Sequence, residues 1–251
     1  MRLKEPTPKK TPAGPHYVRD PITSGSHFVL RGDSRKLHFR KQFDLVLTSP
    51  PFFHPSRRDP RHGYTPSTRN VLEYSAYVAA VLARAAKTLG SNGFLCVLKT
   101  DLWFQGKHIP IAYPIVEECC RHNVNLISHW IWQRRAHFSP YSPAFTHILL
   151  LSPKSGRRPS VPDVIYQPNA TLHFQEPQIF ATLIRLLTEE GATILDPFVG
   201  TGAVVEAAEN TGRLAVGIEI SDTQFRLAQR RLQEVANVVF GELDDCQRSV
   251  K

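Results

Sequence analysis

The chain contains no apolar run of about 18 residues or more, the length a membrane-crossing helix requires. Residues 1–12 carry lysines and prolines but no apolar stretch, so a secretory leader is not expected. Cysteine is scarce. Cys96, Cys119, Cys120 and Cys246 show no C-x-x-C spacing, which argues against a disulfide framework and against a zinc site. The adjacent Cys119 and Cys120 read as small helix residues in a reducing cytoplasm, and no metal is expected. Acidic residues are also short: 22 Asp and Glu face 31 Lys and Arg, for a net charge of +9. That imbalance favours a polyanionic partner, nucleic acid first, although the same charge spread evenly would bind little.

What is present is enough apolar material, 41% of 251 residues, for one large α/β domain. Residues 1–26 are rich in proline and basic side chains and read as a flexible basic arm. The domain proper is expected over 27–240, with a polar tail at 241–251. Strands are expected at 27–30, 43–48, 93–98, 124–132, 147–151, 193–195 and 214–220. Helices are expected at 72–89, closed by Gly90 as C-cap, and at 110–121, 177–190 and 203–210, with a last one capped by Ser221 and running to about 235. This alternation predicts a doubly wound, mostly parallel Rossmann-like sheet, whose ligands bind at the carboxyl ends of the strands. Trp130 and Trp132 read as packing residues on one strand face.

Two strand ends stand out. Phe43-Asp44-Leu45-Val46-Leu47-Thr48 runs straight into Ser49-Pro50-Pro51-Phe52. Ile194-Leu195-Asp196 runs into Pro197-Phe198-Val199-Gly200-Thr201-Gly202. Gly200 and Gly202 leave room for a ligand to lie against the backbone. The loop has neither the G-x-G-x-x-G nor the G-x-x-x-x-G-K-[ST] pattern, so a nucleoside fits it better than a phosphate. Glu219, 17 positions after Gly202 at the end of the next strand, is placed to accept hydrogen bonds from ribose hydroxyls. Read without this arrangement, Asp196 and Glu219 would be ordinary capping acids, and Pro-Pro a plain turn.

These two motifs together resemble the S-adenosylmethionine-dependent amino-methyltransferases of DNA. Because Ser-Pro-Pro-Phe precedes the glycine loop, the order is similar to that of the circularly permuted beta class, over roughly residues 27–235. The resemblance implies that S-adenosyl-L-methionine is bound by Asp196, Pro197, Phe198, Gly200, Gly202 and Glu219. It also implies that Asp33 and Ser34 meet the adenine and that Phe174 covers the methionine end and ring. The chain departs from the pattern at His173-Phe174-Gln175-Glu176-Pro177, where the family often has His-Pro or Lys-Pro spacing, and at Ala203-Val204, where it often has Thr-Thr.

The catalytic motif has a chemical rationale. An exocyclic base amine is a poor nucleophile because its lone pair is delocalised into the ring. Acceptors aimed at its N–H groups, here the Ser49 hydroxyl and the Pro50 carbonyl, concentrate that lone pair. Pro50 and Pro51 preset φ, and Phe52 offers a face on which an extruded base can stack. Within the family, Ser in the first position resembles the cytosine-N4 enzymes. Adenine-N6 methylation of DNA, methylation of an RNA amine and a non-catalytic nucleic-acid-binding protein are the alternatives. Double-stranded DNA is the expected partner, with a homodimer and a cognate restriction endonuclease of a restriction-modification pair left open. Three basic irregular stretches, 53–70, 134–145 and 153–172, are the candidate DNA-contacting loops. Their arginines Arg57, Arg58, Arg61, Arg134, Arg135, Arg157 and Arg158 can contact phosphates or guanine edges.

Overall fold

Short apolar runs ended by turn residues become strands here, and longer amphipathic runs become the helices that cover them. The computed structural model describes residues 25–39, 42–53, 70–134, 145–153, 159, 163–167 and 177–244. The strands are β1 (His27–Arg31), β2 (Phe43–Thr48), β3 (Leu89–Lys99), β4 (Leu102–Phe104), β5 (Lys107–Ile109), β6 (Asn125–Arg134), β7 (Phe145–Ser152), β8 (Val164–Gln167), β9 (Thr193–Asp196), β10 (Leu214–Glu219) and β11 (Val238–Glu242). The helices are α1 (Val71–Ala86), α2 (Ala112–Arg121), α3 (Pro177–Leu187), α4 (Ala203–Glu209) and α5 (Asp222–Arg231).

Nine strands form one sheet in the order β11-β1-β10-β9-β2-β3-β7-β6-β8, and β4 pairs with β5 in a separate hairpin. Among the described strands of this sheet only β7 runs against its neighbours, β3 and β6, so the sheet is mostly parallel, as expected. Strand residues alternate between two cores, as a doubly covered sheet requires. Val46, Leu95 and Val97 pack with α1 and α2. Leu45, Leu47, Cys96 and Leu98 pack with α3 and α4 on the other face. Trp130 and Trp132 are buried in that second core. No helix among the described residues is long and apolar enough to cross a membrane.

Helix ends differ from the expected ones for local reasons. α1 begins where the Asn70 side chain accepts from the Leu72 amide at 2.9 Å. It stops at Ala86, with Lys87 as its C-cap, and Gly90 lies inside β3. The Thr88 carbonyl is taken by the Phe43 amide at 2.8 Å, which draws the chain into the sheet before Gly90 can cap anything. α2 begins at Ala112 because the Asp101 carboxylate accepts from the Ile111 and Ala112 amides at 2.7 and 3.0 Å. Ser221 caps α5 as expected, accepting from the Gln224 amide.

The β4–β5 hairpin and two strands of the large sheet have no counterpart in the expectations. β8 lies within a stretch read as irregular, and pairs in parallel with β6. β11 crosses the boundary set at residue 240. It pairs in parallel with β1, and Leu243 just beyond it is buried, so the fold extends past that boundary. β1, first of the described strands, therefore sits between the last two of them.

Candidate active site

The seam between β2 and β9 brings together the two strand ends singled out in the sequence. Leu45 pairs with Ile194 and Val46 with Leu195, in parallel. Both ends of this short pairing are pinned by side chains. At the start, Asp44 accepts from the Thr193 amide at 2.8 Å and from its hydroxyl at 3.1 Å. At the carboxyl end, the buried Thr48 hydroxyl donates to the Asp196 carboxylate at 2.6 Å. The same Asp196 oxygen accepts from the Phe198 amide at 3.0 Å, which starts the turn. Burial pushes the Asp196 carboxyl up to about 7, with the nearby Glu219 adding to the shift and the two donors opposing it.

The glycine loop leans on β10. The Gly200 amide donates to one Glu219 carboxylate oxygen at 3.0 Å, and the Ser221 amide to the other at 2.7 Å. Burial raises the Glu219 carboxyl above its ordinary value, against the pull of these donors. Gly200 takes φ 54°, in the left-handed region that glycine tolerates. Gly202, at φ 91°, has a second constraint: a Cβ there would lie 2.7 Å from Leu232 Cδ1. Its lack of a side chain thus admits Leu232 from the core. Gly217 in β10 is tighter still, since a Cβ would meet Val199 Cγ2 at 2.4 Å. On the far side, the Ser34 hydroxyl donates to the Pro197 carbonyl at 2.6 Å, tying the turn after β1 to the loop.

These contacts enclose a cavity whose wall includes Ser34, Ser49 to Phe52, Asp196 to Thr201 and Glu219. Among the expected cofactor residues, Asp33 and Gly202 do not line it. Asp33 caps the short 3-10 turn Ser34–Lys36 and pairs with Arg35. A second, smaller cavity shares Ser49, Pro50 and Phe52 with the first and is closed by Lys99, Thr100, Trp132 and Thr146. The Ser-Pro-Pro-Phe turn is thus a partition with a cavity on either side. Phe52 is 45% exposed, which leaves ring surface available, whereas the next residue, Phe53, is buried against Tyr74.

Several wall residues carry no motif: Tyr77, Phe180 and Gln224 line the larger cavity. Lys99 was missed as well. Its Nζ donates to the Pro51 carbonyl at 2.8 Å, the Pro50 carbonyl at 3.4 Å and the Tyr74 hydroxyl at 2.6 Å. Burial pulls this amine down to about 7, with the Asp101 carboxylate acting the other way. A lysine closing the apolar run Phe94-Leu95-Cys96-Val97-Leu98 was the available signal. Phe174, Arg57, Arg58, Arg61, Arg135, Arg157 and Arg158 lie outside the described residues, as does the Arg134 side chain.

Known structures share this architecture. PvuII DNA methyltransferase, described as cytosine-N4-specific, superposes with a TM-score of 0.68 at 16% identity, covering 92% of this chain and 94% of that one. TTHA0409 of Thermus thermophilus, solved in complex with S-adenosyl-L-methionine, gives a TM-score of 0.67 at 21% identity, covering 86% and 98%. At these identities the likeness establishes the fold: an α/β, mostly parallel nine-stranded sheet like that of DNA methyltransferases. Residues 175–230, from the approach to α3 into α5, match the N6/N4 family model described as DNA methylase. The chain is 38% identical to the type II methyltransferase M.XycI of Xanthomonas campestris pv. cyanopsidis over 85 residues, 33% of this chain but only 28% of that protein. It is 24% identical to the type II methyltransferase M.HpaI of Haemophilus parainfluenzae over 227 residues, covering 77% of this chain and 69% of the other.

Proposed function

We propose that the protein is a DNA amino-methyltransferase that moves a methyl group from S-adenosyl-L-methionine to the exocyclic N4 of a cytosine turned out of the duplex. The observation that carries this reading is the Thr48–Asp196 hydrogen bond at 2.6 Å, which couples the Ser-Pro-Pro-Phe turn to the glycine loop across the β2–β9 seam. One cavity wall thereby holds groups suited to a nucleoside and groups suited to a base amine.

The residues present fit the cofactor. The loop at Gly200 offers backbone without a side chain. The Glu219 carboxylate accepts backbone amides on both oxygens, those of Gly200 and Ser221 with Ile220 adding to them, and its four lone pairs leave capacity for a ribose hydroxyl. The cofactor supplies an electrophilic methyl on a sulfonium. Ser49 and the Pro50 carbonyl accept from the target N–H groups, and Phe52 stacks on the base. The net positive charge of +9 supports a phosphate-bearing partner. Ser49 in the first motif position supports cytosine over adenine. The similarity to type II methyltransferases supports a cognate restriction endonuclease as a partner in the cell.

The deciding experiment is mass analysis of nucleosides from unmethylated genomic DNA incubated with the protein and labelled cofactor. N4-methylcytosine is the expected product. N6-methyladenine would overturn the choice of base, and absence of any methylated nucleoside would overturn the activity.

A further inference from the structure

A turn made of two consecutive prolines has an unusual deficit. Neither Pro50 nor Pro51 has an N–H, so the turn cannot brace itself with its own backbone donors. The rings fix φ at both positions but leave ψ open, and ψ sets where each carbonyl points. The donors come instead from the core beneath. β3 pairs with β2 in the register Thr48 to Val97, so Lys99 lies two residues past the end of β2, on the same face as Val97. There its Nζ donates to the Pro51 carbonyl at 2.8 Å, to the Pro50 carbonyl at 3.4 Å and to the Tyr74 hydroxyl at 2.6 Å. Tyr74 in turn donates to the Pro51 carbonyl at 2.5 Å. The ammonium also lies 5.5 Å from the centre of the Phe52 ring and 4.9 Å from that of Tyr74.

Burying a lysine is costly unless its donors are satisfied, and an apolar side chain would fill the same volume without that cost. All three donors of Lys99 are spent on the turn and on the residue that helps hold it. We propose that Lys99, with Tyr74, is a positioning residue for methyl transfer: it sets the direction of both prolyl carbonyls and so aims the Pro50 carbonyl at the target amine. The inference rests on the amino-methyltransferase reading given above. The two carbonyls are treated unequally. Pro51 receives two short bonds, which use both of its lone pairs. Pro50 receives a single long one and keeps capacity for a second donor, the N–H of the base. Phe52, held over the same ammonium, is fixed in the same step. Lys99 touches neither reacting atom, and acts through the carbonyls it orients.

The test uses Lys99→Met and Tyr74→Phe in the full chain. Four quantities are measured: methyl transfer into DNA, cofactor affinity by calorimetry, thermal unfolding, and a crystal structure of each variant. Lys99→Met is expected to lower kcat by about 100-fold, the scale of a misplaced reacting group. Cofactor affinity and KM for DNA should stay at wild-type values, with no loss of Tm. Tyr74→Phe, which leaves the lysine in place, should lose about tenfold, a smaller displacement of the same group. Wild-type kcat in Lys99→Met would overturn the inference. So would a loss spread across Tm, cofactor affinity and kcat alike, which is the mark of a purely structural residue. If the wild-type protein methylates no DNA, the underlying reading falls. In that case the crystal structure still decides the positioning claim: a Pro50 carbonyl that keeps its direction without Lys99 refutes it.

Discussion

Replacing Asp196 with asparagine should separate the shape of the seam from its charge. The side chain is 2% exposed, and one oxygen accepts from both Thr48 and the Phe198 amide. Asparagine can present its carbonyl oxygen in the same place and keep both bonds, so what is removed is the ionisable group. Burial has raised that group from 3.8 to about 7. The folded protein therefore holds a proton that the unfolded chain gives up above pH 4. Because the folded value is the higher one, its contribution to stability is full below the unfolded value and is lost as pH rises through about 7. At about 1.4 kcal/mol per pH unit, the loss amounts to about 4 kcal/mol once the group is ionised. Asp196→Asn should thus be more stable than wild type near pH 8 by up to about 4 kcal/mol, and the gap should close towards pH 4. Urea unfolding followed by circular dichroism across that range measures the difference directly, with Glu219 present in both proteins. Stability curves that run parallel for the two proteins would refute the reasoning. So would an asparagine variant that is weaker at every pH, because it would mean that the charge itself holds Thr48 and Phe198 in place.

Other perturbations probe the two halves of the site. Gly217→Ala places a methyl 2.4 Å from Val199 Cγ2 and must push the glycine loop outward. It should cost about 1–3 kcal/mol in chemical unfolding, as overpacking does, and weaken cofactor affinity in parallel; wild-type values for both would show that the loop yields freely. Ser49→Ala and Phe52→Ala should lose turnover while keeping cofactor affinity, read by labelled methyl transfer and by calorimetry. Unchanged transfer in both variants would remove the Ser-Pro-Pro-Phe turn from the chemistry.

The parts of the molecule that were legible in the sequence are those written in local pattern. The strand ends at Thr48 and Asp196, the glycine loop and Glu219 all sit where a buried apolar run meets turn residues, and the structure places them side by side. Less legible were features that depend on distant partners. β11 runs from Val238-Val239-Phe240 into Gly241-Glu242, where the sequence turns polar, and it pairs along its whole length with the edge that β1 offers. α1 ends early because Phe43, more than forty positions upstream, claims the carbonyl of Thr88. Lys99 belongs to no motif, and what marks it out is contact with the carbonyls of Pro50 and Pro51, far away in the sequence. Gly202 has the reverse character: its pattern suggested room for a ligand, and the structure fills that room with Leu232. Spacing reports where the backbone turns, but not which neighbour the freed space admits.

The place of β1 in the sheet has a consequence for how the protein is made. Phe28, Val29 and Leu30 are buried between β10 and β11, yet they leave the ribosome before every other described strand of the sheet. Their partners at 214–219 and 238–242 follow roughly 200 residues later, which at about 5–20 residues per second is a wait on the order of ten to forty seconds. During that interval an apolar strand has no place in the sheet. The same delay means that a nascent chain cannot close its cavity. Glu219 and the turn that Ser34 ties to Pro197 come together only after the chain has been made as far as residue 219. The cavity wall is therefore complete only once residues 196–224 have joined Ser34 and the Ser49–Phe52 turn, and a chain that stops before them lacks most of it.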